Sequence, residues 1–122
     1  MPKVAPDAML DASLDYVAGA TVMHACSTLD ATPTLAEVNA ASLADVAMAG
    51  GDFVKANGDT SGRKVTVGAK SAVPVDTSGT FDHVAVVDGS VVRYVTTGTS
   101  QALTGGNTVN FPAWDIEIAD PA

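Results

Sequence analysis

Turn signals recur so often in the second half of this chain that long helices have no room there. From residue 52 onward, Asn57-Gly58, Ser61-Gly62, Ser78-Gly79, Asp88-Gly89 and Gly105-Gly106 separate runs heavy in Val and Thr. Asn, Asp and Gly tolerate the backbone angles of tight turns, whereas β-branched side chains are stiff and suit a pleated strand. Several short strands at this spacing predict an antiparallel β-sandwich or a jelly-roll-like small barrel. The clearest unit runs from His83 to Val95 around Asp88-Gly89. Asp-Gly between β-branched runs predicts a hairpin closed by a type I′ turn, which needs positive φ at both central positions. A last strand is expected from Thr108 to Ile118, where Pro112 has no N–H for a ladder and must force a bulge, a break or an edge placement. Trp114, Ile116 and Ile118 then share one face, with Asp115 and Glu117 on the other.

The first half is organised differently. Residues 1–6, with Pro2 and Pro6, are expected as an extended arm ahead of a single domain over 7–122. From Asp7 to Ala18, Met9, Leu10, Leu14 and Val17 follow helical spacing, and Asp7, Asp11 and Asp15 form an acidic stripe expected to face solvent. Gly19 is expected to end this helix. Thr21 to Ser27 predicts a strand, with Val22, His24 and Cys26 on one face and Thr21, Met23 and Ala25 on the other. Over 28–52 helix-forming alanines are frequent but the apolar spacing is irregular, so short helical turns or an excursion loop are expected in place of a long helix, a place for partner contacts.

Charge and size exclude several functions. The chain has 122 residues, 14 acidic and 6 basic, for a net charge of -8. That is one small domain, able to bury a core without metal or disulfide staples. The apolar fraction is 47% but aromatic residues are only 5%, so Ala and Val must do most of the packing. Arg63-Lys64 is the only adjacent basic pair, which disfavours binding to nucleic acid. No stretch approaches the roughly 18–20 apolar residues of a membrane span, and no basic region leads into an apolar run at the N-terminus. A soluble protein not exported through a cleaved leader is expected. The single Cys26 has no internal disulfide partner.

Candidate chemistry is sparse. Asp-Thr-Ser-Gly occurs at Asp59–Gly62 and again at Asp76–Gly79. Aspartic proteases need two carboxylates sharing a proton in a dry symmetric site, and Ser stands here where their loop has Gly, so both copies are read as turns. Gly58 to Lys64 has three residues between its glycines and an Arg before its Lys, and it leads into a strand, which disqualifies it as a phosphate loop. His24 and His83 lie among apolar neighbours with no third metal ligand at a recognisable spacing. They are read as structural, and Cys26 as a small buried hydrophobe. Asp115, Glu117 and Asp120 lack any calcium-loop spacing. No catalytic, cofactor-binding or metal-binding residue is assigned, and no small-molecule substrate is expected. Trp114 is read as core or as an interface anchor.

A resemblance adds to this. Asp11-Ala-Ser-Leu14-Asp15-Tyr16-Val17, then His24-Ala-Cys26-Ser27, Gly58 through Val67, Phe81 through Asp88, and Gly106 through Ile118 together look like small virion-associated proteins of tailed bacteriophages. The similarity covers most of the chain and is weakest over 28–52. It is a pattern of turns and strands, and it implies a structural role, not a catalytic one. The resemblance implies a capsid decoration or cement protein on the virion's capsid exterior, assembled in the host cytoplasm, with the major capsid protein as partner. Homo-oligomers or symmetric repeated copies are expected. Pro2, Lys3, Val4 and Pro6 of the arm, Leu35, Val38 and Leu43 of the excursion, and Trp114 are the partner-interface candidates. A tail or fibre component recognising the host surface is the alternative.

Overall fold

The computed structural model describes residues 6–59 and 61–118. Its elements are α1 (Asp7–Ala18), β1 (Val22–Cys26), α2 (Leu35–Ala41), β2 (Ser42–Ala47), a 3-10 turn (Gly50–Asp52), β3 (Phe53–Asn57), β4 (Arg63–Val67), β5 (Lys70–Pro74), β6 (Gly79–Val87), β7 (Val92–Leu103), β8 (Thr108–Phe111) and β9 (Trp114–Ile118). They form three antiparallel sheets in the orders β2-β1-β6-β7, β3-β4-β9 and β5-β8. The protein is mainly β, a small sandwich-like fold with a short N-terminal helix, as expected.

The central pair β1–β6 is buried on both faces. Met23, Ala25, Val84 and Val86 point into the main core, where they meet Val65, Val67 and Ile116 of the second sheet, Val73 and Phe111 of the third, and Leu14 and Val17 of α1. The alternate residues Cys26, Ala85 and Val87 point the other way and pack under Val38 of α2. Period-two alternation therefore feeds two apolar layers, and small side chains suffice because each layer is thin.

Over 28–52 the excursion loop gives way to the other alternative, short helical segments, with a strand between them that was not expected. Thr34 and Glu37 form a reciprocal capping box that opens α2 (Glu37 N–H to Thr34 Oγ1, 3.2 Å; Thr34 N–H to Glu37 Oε1, 3.0 Å). Directly after α2, β2 pairs with β1 in the principal sheet. Two interface candidates are corrected as a result: Val38 and Leu43 are core residues, fully or nearly fully buried, and Leu35 packs partly buried against the smaller core layer. Among the arm candidates, Pro6 is exposed at the N-terminus of α1, while Pro2, Lys3 and Val4 lie outside the described residues.

Three further expectations change in detail. Met9 is exposed, so α1 buries only Leu10, Leu14 and Val17. Its acidic stripe does not simply face solvent: Asp11 pairs with Arg63 of β4 at 2.8 Å and Asp15 with Lys55 of β3 at 2.5 Å. The hairpin of β6 and β7 pairs Val87 with Val92, leaving a four-residue loop in place of a type I′ turn. Gly89 has no positive φ; the loop is closed by Asp88 Oδ1, which accepts the N–H groups of Ser90 (2.6 Å) and Val91 (2.8 Å). Pro112 causes a break, the strongest of its three expected effects. β8 ends at Phe111 and β9 begins at Trp114, so one run supplies strands to two different sheets.

Leu14 is fully buried where α1 meets the second sheet. Leu14→Ala is expected to cost about 2–5 kcal/mol in equilibrium denaturation, the range for a large-to-small change in a close-packed core.

Candidate functional site

The described Lys and Arg side chains are all paired. Lys55 pairs with Asp15, Arg63 with Asp11, Lys64 with Asp59 and Asp115, Lys70 with Asp52, and Arg93 with Asp88. Every Lys and Arg among the described residues thus has a carboxylate partner. Arg93 does most. Its Nε and Nη2 hold Asp88 Oδ2 at 2.9 and 2.6 Å, its Nη1 donates to the Tyr16 carbonyl at 2.7 Å, and its Cζ lies 4.5 Å from the Tyr16 ring centroid. The Tyr16 carbonyl, in the last turn of α1, otherwise accepts only a long 3.4 Å bond from the Gly19 N–H, and a cation there suits the helix dipole. Gly19 ends the helix in right-handed geometry, and a Cβ there would come within 3.0 Å of the Arg93 guanidinium.

Neither Asp-Thr-Ser-Gly copy builds an active site. Lys64 Nζ donates to Asp59 Oδ1 at 2.7 Å, and the Asp59 N–H donates to Glu117 Oε1, so the first copy is a turn clamped to β9. In the second, the Asp76 N–H donates to the Leu43 carbonyl at 2.8 Å. The Asp76 carboxyl hydrogen-bonds Asp45, which raises its pKa above the ordinary value. Ser78 Oγ accepts the Gly105 N–H at 2.8 Å.

The register of β1 against β6 does bring one suggestive row together. Cys26 lies directly across from His83, whose Nδ1 is 2.7 Å from Asp82 Oδ1, and Thr28 donates to the other Asp82 oxygen at 2.6 Å. Thiol, imidazole and carboxylate in sequence is the order of a cysteine nucleophile with its base. The chemistry is wrong, however. The thiol is sealed beneath α2 with Sγ 3.9 Å from the Val38 carbonyl, and burial, helped by the Asp82 charge, pushes its pKa up to about 12. An activated cysteine needs the opposite shift. His24 is equally structural: it is buried, its Nδ1 lies 2.8 Å from Ser42 Oγ, and burial lowers its pKa against the opposing pull of Asp45.

Trp114 is the candidate that the fold leaves at a surface opening. Half-buried at the start of β9, it stacks on Tyr94 with centroids 6.0 Å apart and rings inclined by 28°. It lines a cleft of about 420 Å³ between β7 and the β8–β9 junction. Phe81, Phe111 and Val84 supply apolar surface there, and Thr97, Thr99, Gln101 and Asn110 supply hydroxyls and amides. Two irregularities shape it. Phe81 pairs with Gln101 and His83 with Thr97, so Gly98, Thr99 and Ser100 bulge opposite Asp82 alone. The Phe81 ring lies so close to Gly98 that a Cβ there would sit 2.7 Å from it. Behind the lining residue Asn110, Ala72 of β5 adopts φ 54°, its N–H donating to Asn110 Oδ1 at 2.8 Å, which fixes the amide at the cleft. Sequence reasoning missed this cleft, because bulge and strain arise from pairing register. The one available signal was Trp114 two residues after Pro112.

Among the described residues no group of three or more His, Cys, Asp or Glu is arranged to hold a metal, and no helix is long and apolar enough to cross a membrane. The chain matches no known protein family, no curated protein and no solved structure.

Two measurements check this description. The Cys26 thiol is expected to resist a thiol-specific reagent at neutral pH in the native protein and to react fully after denaturation. Asp88, with its pKa lowered to about 2 from 3.8 by two backbone N–H bonds and Arg93, contributes stability that is present above 3.8 and lost as pH falls toward 2. Asp88→Asn is therefore expected to lower the melting temperature at pH 7, with the difference from wild type shrinking through that acid window.

Proposed function

We propose that this chain is a structural protein of a tailed-bacteriophage virion, a capsid decoration or cement protein that binds the outer surface of the shell and stabilises it. The observation carrying this reading is the distribution of charge. The net charge is -8, and each described cation is held by a carboxylate of the same chain. Such a surface repels packaged nucleic acid and is suited to the outside of a shell. The buried, proton-retaining Cys26 and the structurally engaged histidines support a non-enzymatic role.

The partner in this reading is the major capsid protein, met by many symmetry-equivalent copies, each adding a modest interface. Pro6, Leu35 and Trp114 remain surface candidates for that contact, and Pro2, Lys3 and Val4, outside the described residues, are the other candidates. A second reading, a tail or fibre component that meets the host surface, is favoured by the cleft beside Trp114. Image reconstruction of the virion separates the two. Density for this chain repeated over the capsomers is expected; density confined to the tail would overturn the decoration assignment in favour of the second reading.

A further inference from the structure

We propose that the cleft beside Trp114 is a binding site for a neutral saccharide. The inference is independent of where the protein sits on a virion, since it rests only on the chemistry of the cleft.

Charge narrows the ligand first. From Tyr94 to Trp114 the chain carries no Asp, Glu, Lys, Arg or His, an unbroken neutral stretch that includes most of β7, all of β8 and the break at Pro112. Among the described residues the only charged one at the cleft is Asp115, whose Oδ1 accepts the Thr66 hydroxyl at 2.7 Å and whose Oδ2 lies 3.4 Å from Lys64 Nζ. Phosphorylated, sulfated or carboxylated ligands would find no uncommitted cation, and a cationic ligand would meet a carboxylate already neutralised. The occupant is uncharged.

Shape and polarity narrow it further. At about 420 Å³ the cleft falls within the size of small-ligand sites. A purely apolar occupant would desolvate the hydroxyls and amides of Thr97, Thr99, Gln101 and Asn110 without satisfying them. A sugar ring matches both halves of the lining. Its C–H face packs against aromatic rings, which Phe81, Phe111 and Trp114 provide, while its hydroxyls need partners that both donate and accept. Thr and Gln side chains do both. Asn110 Oδ1 already accepts from Ala72, which leaves the Asn110 amide N–H groups as donors. Trp114 Nε1 is the one buried side-chain polar atom without a partner among the described residues; it is closed off from solvent, so Trp114 serves the cleft through its ring.

The site is also preorganised. The three-residue bulge places Gly98 and Thr99 at the cleft with backbone groups freed from the ladder. The left-handed Ala72 is a strained position kept in place by the side chain of Asn110. Strain of this kind persists where the surroundings over-determine it, and it concentrates around ligand sites.

Trp114 is the only tryptophan of the chain, so intrinsic fluorescence reports on the cleft directly. The full chain would be screened on an array of neutral oligosaccharides built from hexoses, 6-deoxyhexoses and N-acetylhexosamines, and bound glycans then titrated while tryptophan emission is followed. At least one neutral class is expected to shift the emission saturably, while sialylated and phosphorylated glycans do not. Gln101→Ala and Thr99→Ala, both at exposed positions, are expected to weaken binding by about tenfold or more with an unchanged melting temperature. Absence of binding across the neutral array, binding indifferent to both substitutions, or an emission response only to apolar peptides would each overturn the proposal.

Discussion

The burial of β1 and β6 on both faces is the constraint from which the remaining architecture follows. A strand pair exposed on either side would leave Met23 and Val86, or Cys26 and Val87, against water, so each face requires a cover. The two smaller sheets and α1 cover one, and α2 covers the other. That second cover explains why a seven-residue helix, too short to hold itself together in isolation, is present at all. It also seals Cys26, which lies across from His83, away from solvent.

Electrostatics works on the same scaffold by using a few cations many times. Arg93 joins the β6–β7 loop, through Asp88, to the end of α1, through the Tyr16 carbonyl. Arg63 and Lys55 fasten the exposed side of the same helix to the second sheet. With the described cations spent inside the molecule, what remains outside is acidic or neutral. The neutral part is concentrated on β7, β8 and the turn into β9, where the cleft opens. A protein of this charge presents its least repulsive surface there to any acidic neighbour or uncharged ligand.

The cleft itself is a product of irregularity. A regular β7 would lie flush with β6, and an unbroken strand over 108–118 would stay within one sheet. The bulge at Gly98–Ser100 and the break at Pro112–Ala113 separate the two edges and leave Trp114 between them.

Much of the fold was legible in the residues. The helix over Asp7–Ala18, the alternation of β1, the hairpin around Asp88 and the break at Pro112 follow from apolar period, turn chemistry and a missing N–H, all properties of neighbouring residues. The Thr34–Glu37 capping box was readable too, although the irregular alanines after it concealed the helix it starts. What lay beyond reach depended on distant residues. Ser42–Ala47 has the composition of a helix and becomes a strand because β1 offers an unpaired edge, which buries Leu43 instead of exposing it. Likewise, the union of Phe81, Gln101, Asn110 and Trp114 in one cleft depends on the register of β6 with β7 and on the switch of sheets at Pro112. The sequence by itself determined the N-terminal helix, the strands around the Asp88 hairpin and the stop at Pro112, because those preferences are local. Only the tertiary structure decided which strand edges stay apart and which side chains meet across the gap, because pairing between remote segments is settled by the burial they achieve together.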